Sequence, residues 1–163
     1  MNPGLRFFVA MVSASFVAPA LFAVYVYSGA PGNQLNGLWF VVAIAWLVCL
    51  AHLLLIGAPV FMLLRRRDKL KLETVSISGF LAGVLPLGFL MYPSRHDEGY
   101  SSSANWHGTY ATFYENGEPT RYAWLSHIES SLVFGILGAV AAVVLWRVWA
   151  VLGSEQADHA ADA

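Results

Sequence analysis

Four long apolar segments constrain this chain more than any other feature of its sequence. A helix needs about 20 mainly apolar residues to cross a hydrocarbon core of ~30 Å. The first three segments contain no Asp, Glu, Lys or Arg, and the fourth contains only Arg147, close to its end. The segments run over residues 7–27, 38–64, 74–92 and 130–152. We therefore predict an all-α membrane protein that forms a bundle of four transmembrane helices.

The composition agrees with this prediction and excludes several classes of protein. Hydrophobic residues make up 58% of the 163 residues and charged residues 12%, whereas about a quarter of the residues in a soluble domain are charged. A net charge of -1 provides no positive face for a polynucleotide, so we expect no nucleic acid partner. The single cysteine, Cys49, excludes an internal disulfide and a two-cysteine redox motif. The outer histidines match no ligand spacing, and we expect neither a metal site nor a cofactor.

The first segment has to be compared with a cleavable signal peptide. Arg6 precedes it, and Ala18-Pro19-Ala20 is a small-residue stretch that resembles a cleavage site. A signal core has about 7–15 apolar residues, whereas this segment stays apolar as far as Tyr27. We therefore expect the segment to be retained as the first transmembrane helix.

Basic residues predict the orientation of the bundle, because those in short loops stay on the cytoplasmic side. Five of the nine Lys and Arg residues lie in the loop 65–71, and Arg6 and Arg147 fall on the same side once four helices alternate. Both termini should therefore be cytoplasmic, with residues 93–129 as an outer loop. We predict that residues 153–163 form a disordered cytoplasmic tail. The basic loop is interpreted first as a topology signal, and second as a contact with anionic membrane lipid or a partner.

His52 is the strongly polar side chain deepest in the first three spans. It lies 13 residues from Trp39 and 13 from Arg65, which places it about 20 Å from each along a helix. Together with Cys49, one turn earlier, it forms a candidate intramembrane polar site. The preferred interpretation is structural, a hydrogen bond to a serine or a freed carbonyl on a neighbouring helix. The alternatives are a proton or substrate contact and, more remotely, a metal or haem ligand. The serines considered as partners are Ser13, Ser15, Ser76 and Ser78.

Prolines and small residues indicate how the helices pack. Pro19, Pro59 and Pro86 put one proline in each of the first three spans, which either marks a hinge or reflects the tolerance of membrane helices for proline. Small residues at four-residue spacing let helix backbones approach closely, and we prefer packing within one chain over a homo-oligomer. These stripes are Ala10, Ala14 and Ala18; Gly79 and Gly83; and Ser131, Gly135, Gly138 and Ala139.

The outer side carries two further candidate sites. At the start of the fourth span, His127 and Glu129 could form an entry point for an ion or substrate or half of an acid/base pair, although a solvated helix start is the simpler interpretation. In the loop before it, Asn116-Gly117 separates residues 109–114 from 120–122 and predicts a β-hairpin. The aromatic residues of this hairpin either contact a protein partner, lie on lipid or cap the bundle. They are Tyr110, Phe113, Tyr114 and Tyr122.

Across most of its length, the chain resembles small uncharacterised four-helix bacterial inner-membrane proteins. The resemblance implies a location in the bacterial inner membrane and a topology, but no activity or binding residue. It is carried by three stretches: His52 through Gly57-Ala58-Pro59 to Arg65-Arg66-Arg67; Gly79-Phe80-Leu81-Ala82-Gly83 to Pro86; and Trp124 with Gly135, Gly138 and Trp146.

Three functions are compatible with these features. The preferred one is a non-enzymatic membrane protein that acts by protein association, as an accessory subunit or an immunity-type protein, or as a homo-oligomer. The second is a small transporter or channel subunit with a pathway near His52. The third, an enzyme using His127 and Glu129, is weakest because no nucleophile, base and orienting group occur at a recognisable spacing, so no catalytic residue is assigned.

Overall fold

The structure is a computed structural model that describes residues 2–29 and 38–161. A π segment, Leu53–Gly57, joins the third helix to the fourth. The six α-helices are α1 (Pro3–Ser15), α2 (Val17–Gly29), α3 (Leu38–His52), α4 (Ala58–Arg66), α5 (Leu72–Leu90) and α6 (Arg121–Ala161). The three strands are β1 (Ser102–Trp106), β2 (Thr109–Glu115) and β3 (Glu118–Pro119).

Within the described residues, four helical stretches are long and apolar enough to cross a membrane, which confirms the predicted number. They are Pro3–Leu21, Trp39–Arg66, Leu72–Leu90 and Arg121–Gly153. The last helix begins at Arg121, before the predicted apolar span, and continues to Ala161, through most of the predicted tail. Disorder of residues 153–163, whose last two lie outside the described part, stays a prediction, because a short helical extension is marginal in water unless it packs.

Two of the three prolines interrupt their helices. Pro19 has no N–H to donate to the carbonyl of Ser15, four residues back, and α1 ends at Ser15 with Phe16 as its C-cap. Pro59 follows the π segment, where the Ala58 N–H donates to the Leu53 carbonyl, five residues back. Pro86 lies inside α5, which continues to Leu90. Helix interruptions near a proline therefore occur in the first two spans, whereas α5 is continuous through Pro86.

Glycines bring α5 and α6 into backbone contact. A Cβ on Gly79 would collide with the side chain of Ala142 and lie 2.6 Å from the Gly138 carbonyl oxygen. A Cβ on Gly83 would meet the backbone of Phe134. Such approach is possible only without side chains, which is how small residues join helices in lipid. The small-residue stripes of these two helices are thus used within the chain.

Aromatic and cationic side chains from three helices meet at the end of the bundle that carries the basic loop. Trp149 packs edge-on against Phe7 and Phe61, with ring centroids 6.2 and 5.8 Å apart. The Arg6 Nε donates to the Trp149 carbonyl oxygen at 2.5 Å. The guanidinium carbons of Arg6 and Arg65 lie 3.9 and 4.9 Å from the centroid of the Trp149 ring. The beginning of α1, the end of α4 and the later part of α6 therefore lie at one end, as the orientation argument requires.

A three-stranded antiparallel sheet, in the order β1-β2-β3, lies at the opposite end, where Trp106 contacts Glu129 near the beginning of α6. The predicted turn is confirmed, since Asn116 and Gly117 have φ values of 51° and 85° and join β2 to β3. The predicted second strand over residues 120–122 is wrong. Thr120 caps α6 instead, because its Oγ1 accepts a hydrogen bond from the Tyr122 N–H at 3.2 Å and its carbonyl accepts from the Ala123 N–H. The sequence analysis did not predict β1.

The segment after α5 forms hydrogen bonds with the turn between β2 and β3. The His96 N–H donates to the Gly117 carbonyl oxygen at 2.9 Å, and the Gly117 N–H donates to the Tyr100 carbonyl oxygen at 2.7 Å. The Gly99 N–H donates to Asn116 Oδ1 at 2.9 Å, and the Asn116 N–H to Ser101 Oγ at 3.1 Å. We call residues 96–101 the clasp, because they fix the sheet to the chain that leaves α5.

Candidate functional site

The candidate site is a cavity of about 270 Å³ inside the bundle. It lies between the α5–α6 pair and the helical stretch made of α3, the π segment and α4, which we call the α3–α4 rod. Its lining is mostly apolar, and small residues on every side leave the space unfilled. The cavity is partly open at the surface of the bundle, and Val48, which lines it, is 62% exposed. The small lining residues include Ala14, Ala18, Gly57, Ala82, Gly83 and Ala141.

Among the described residues, three polar side chains line this cavity: His52 and Cys49 from α3, and Ser78 from α5. The structure thus brings the two residues of the predicted intramembrane site to the same wall. Both are half-buried. The imidazole of His52 makes no hydrogen bond or ion pair within residues 2–29 and 38–161. It is a polar group at mid-depth that faces an apolar space.

The serines considered as partners for His52 are mostly engaged elsewhere. Ser13 Oγ donates to the Val9 carbonyl oxygen at 2.9 Å, and Ser76 Oγ donates to the Leu72 carbonyl oxygen at 2.8 Å. Ser15 Oγ donates to its own helix and accepts a 2.8 Å hydrogen bond from Trp46 Nε1. Only Ser78 lines the cavity with His52. The serine bond preferred in the sequence analysis is therefore not formed in the described residues.

The π segment sets the position of His52. This residue is the last of α3, and the wider turn begins with the next residue, Leu53. A Cβ on Gly57 would come 3.0 Å from Leu53 Cδ2, so glycine leaves room for the Leu53 side chain across this turn. Single π turns within α-helices occur frequently at functional sites. The irregular turn thus coincides with the polar wall of the cavity.

Glu129 belongs to a separate polar group at the end of the bundle that carries the sheet, which we call the outer end after its predicted orientation. Its Oε2 accepts hydrogen bonds from Trp106 Nε1 at 2.9 Å and lies 3.0 Å from His107 Nε2. These contacts attach the turn between β1 and β2 to α6. His127 is not in this group. Its ring lies 6.4 Å from the ring of Trp124, and it lines a shallower outer cavity of about 280 Å³.

The four hairpin aromatics do not form one surface. Tyr110 is 78% exposed, whereas Phe113 and Tyr114 are half-buried and line the outer cavity. Tyr114 also packs against the rings of His96 and Tyr100, with centroids 4.6 and 5.6 Å apart. Of these four aromatic residues, only Tyr110 is exposed enough to contact a protein partner.

Tyr122 contacts the outer polar group instead, since its ring centroid lies 5.7 Å from that of Trp106. The sequence analysis missed Trp106 and His107 as the partners of Glu129. No local signal identified them, because they lie 23 and 22 residues from it in sequence. It also missed the contact of Arg6 with Trp149, which joins the two ends of the chain.

No protein family, curated protein or solved structure matches this chain. Within residues 2–29 and 38–161, no group of three or more His, Cys, Asp or Glu side chains is placed to hold a metal ion. Of the features described, the cavity beside His52 most restricts the kind of molecule that the protein could bind.

Proposed function

We propose that this protein binds a lipid-like molecule, an apolar chain that carries one polar group, in the cavity beside His52. The observation that supports the proposal is an apolar cavity that opens at the bundle surface and has on its wall an imidazole with no hydrogen-bond partner among the described residues. Burying apolar ligand surface needs no polar partners, whereas a buried polar group has to be hydrogen-bonded. His52 supplies that bond for one polar group of the ligand.

The lining argues against a polar cargo. An ion or a sugar entering the cavity would lose its hydration and meet, in the part of the chain that the structure describes, only His52, Cys49 and Ser78 as polar side chains. Channels and transporters replace the lost hydration with rings of carbonyls or charged side chains. The transporter or channel function considered for His52 is therefore retained only for an apolar cargo that enters from the lipid.

Photo-labelling in liposomes tests this proposal. A fatty acid with a diazirine in the middle of its chain is irradiated in proteoliposomes, and the labelled residues are mapped by mass spectrometry. We expect Ala141, which lines the cavity, to be labelled. The substitution Ala82→Phe places a ring in the cavity and should lower labelling there several-fold. Labelling of Leu55, which is 77% exposed, should not change.

The matched control is Ala51→Phe, which adds the same ring to an exposed residue next to His52. It should leave labelling of the cavity unchanged. If both variants label Ala141 like the parent chain, the cavity holds no ligand. His52→Leu removes the polar contact and should weaken capture of the fatty acid more than that of a diazirine-bearing hydrocarbon.

The proposed location is the bacterial inner membrane, with both termini and the loop 65–71 in the cytoplasm and the sheet outside. Support comes from the five basic residues of the loop and from the opposite placement of the sheet, since basic loops stay inside. An alkaline phosphatase fusion after Asn116 should be active, and one after Lys69 should be inactive. The reverse pattern would overturn the orientation.

A second candidate function is association with a protein partner through the outer sheet, as an accessory subunit or an immunity-type protein. The observation that favours it is Tyr110, which is 78% exposed on a sheet that is anchored to α6 through Glu129. Exposed tyrosines on rigid supports are frequent anchors of interfaces.

Affinity purification in mild detergent tests this association. Tyr110→Ser should abolish recovery of a partner without changing the melting of the protein. Tyr114→Ser serves as the contrast, since Tyr114 packs against His96 and Tyr100 and its loss should lower stability instead. Recovery of the same partner with Tyr110→Ser would exclude this surface.

A further inference from the structure

Two guanidinium groups converge on one tryptophan at the basic end of the bundle. Arg6 comes from α1 and Arg65 from α4, and both lie within 5 Å of the Trp149 ring centroid, at 3.9 and 4.9 Å. Trp149 is itself buried, 8% exposed, so its position is fixed by the core. Both guanidinium groups therefore lie against one ring whose position the core fixes.

These two charges have no acidic partner among the side chains that the structure describes. The ion pairs there are Arg95 with Glu118 and His107 with Glu129, both at the outer end. Arg6 uses its Nε for the Trp149 carbonyl, and its terminal nitrogens lie against Gly153, where a Cβ would collide with them. Two close like charges repel each other. An anion that contacts both guanidinium groups would relieve this repulsion.

The position of the pair selects the kind of anion. A guanidinium presents parallel N–H donors that match two oxygens of a phosphate. In the topology proposed above, this end of the bundle lies at the cytoplasmic surface of the membrane, at the level of lipid headgroups. Anionic phospholipids are enriched there and attract basic residues next to transmembrane helices.

We propose that Arg6 and Arg65 bind the phosphate of an anionic phospholipid from the cytoplasmic leaflet. The inference rests on the proposed topology but not on occupancy of the cavity beside His52. Trp149 acts as the platform that holds both guanidinium groups, and Gly153 lets Arg6 lie flat against α6. The neighbouring charges of the loop 65–71 add attraction for the anionic surface without choosing a single lipid.

Lipid titration of the purified full-length protein tests the site. Phosphatidylglycerol is added in a neutral detergent, and bound lipid is counted by native mass spectrometry. Arg65→Gln should weaken binding about tenfold, which is the usual effect of losing one charge-assisted hydrogen-bonded pair. Arg65 is exposed, and its side chain makes no hydrogen bond or ion pair among the described residues, so this variant should fold. Arg6→Gln should weaken binding similarly, and Arg65→Lys should restore it only in part.

Arg147→Gln is the matched control. Arg147 also stacks on a tryptophan, with its guanidinium carbon 5.4 Å from the Trp146 ring, but no second arginine joins it there. This variant removes the same charge from the same end and should change binding less than twofold. An equal loss in Arg147→Gln and Arg65→Gln would show a diffuse charge effect and overturn the site.

Two further measurements distinguish the source of the phosphate. Glycerol phosphate, which is soluble, should not displace the lipid at equal concentration, and displacement would indicate a site for free phosphate. Phosphatidylcholine should bind at least several-fold more weakly than phosphatidylglycerol, and equal binding would overturn the selection by charge. If Arg65→Gln binds the lipid like the parent protein while the fusion reporters show the expected pattern, the phosphate site is wrong and the topology stands. If the reporters show the reverse pattern, the topology on which the phosphate site rests is wrong.

Discussion

Replacing Gly83 by alanine tests the backbone contact between α5 and α6. The added Cβ would run into the Phe134 carbonyl oxygen, lie 2.9 Å from the Phe134 carbonyl carbon and lie 3.2 Å from the Cα of Gly135. All three are backbone atoms, which cannot rotate away as the end of a side chain can. Overpacking of a well-packed contact costs about 1–3 kcal/mol. We expect Gly83→Ala to fall in the upper half of that range, because one helix has to shift.

Gly88 on the same helix provides the control. A Cβ there would meet only Val84 Cγ1, at 3.7 Å, which is an ordinary contact. Alanine is a better helix former than glycine by about 1 kcal/mol, so Gly88→Ala should stabilise the protein slightly. The free energies of unfolding of the two variants should therefore differ by about 2–4 kcal/mol.

The assay is titration of the full-length protein from a mild detergent into sodium dodecyl sulfate, followed by circular dichroism. The unfolding midpoint of Gly83→Ala should lie clearly below that of the parent, and that of Gly88→Ala at or above it. Equal midpoints for the two variants would refute the close approach of α5 and α6, because local helix propensity alone treats both positions alike.

Three further predictions concern other contacts. Trp46→Phe removes the 2.8 Å hydrogen bond to Ser15 and should lower the free energy of unfolding by about 1 kcal/mol in the same titration. Gly117→Ala should speed limited proteolysis of the outer segment more than Gly108→Ala; both have positive φ, but only at Gly117 would a Cβ meet carbonyl oxygens, at 2.7 and 2.8 Å. Glu129→Gln removes the charge that holds the turn between β1 and β2 and should speed proteolysis there while the bundle melts as before.

The number of helices was predictable because the requirement that a bilayer places on sequence is simple. Long runs without charges have few alternatives to a spanning helix, and the described helices have the expected number. The turn at Asn116-Gly117 was predictable for a similar local reason, since both residues adopt positive φ, which Asn and Gly tolerate better than other residues.

The missed elements depend on contacts between distant parts of the chain. Strand β1 has the sequence Ser-Ser-Ala-Asn-Trp, which lacks β-branched residues, and it forms because it pairs with β2 across a turn at His107-Gly108. His107 has a φ of 50°, and a histidine in the sequence only weakly predicts such a positive φ. Thr120 was assigned to a strand because its role as a helix cap requires knowledge of where α6 begins.

The candidate site was predicted in part for the same reasons. A lone histidine in an apolar run indicated His52, and the spacing of one turn indicated Cys49. The cavity itself depends on how small residues from several helices fall together. The π segment, too, has no sequence signature beyond the nearby Pro59.

The clasp and the glycine contacts both join α5 to α6. The clasp joins the chain leaving α5 to the sheet that precedes α6, so those two helices are linked at one end and are in backbone contact where Gly79 and Gly83 face α6. They form a rigid frame. The α3–α4 rod, by contrast, is interrupted by the π segment at the wall of the cavity. If the cavity widens to admit a molecule, we therefore expect α3 and α4 to bend about residues 53–57, while α5 and α6 keep their relative positions.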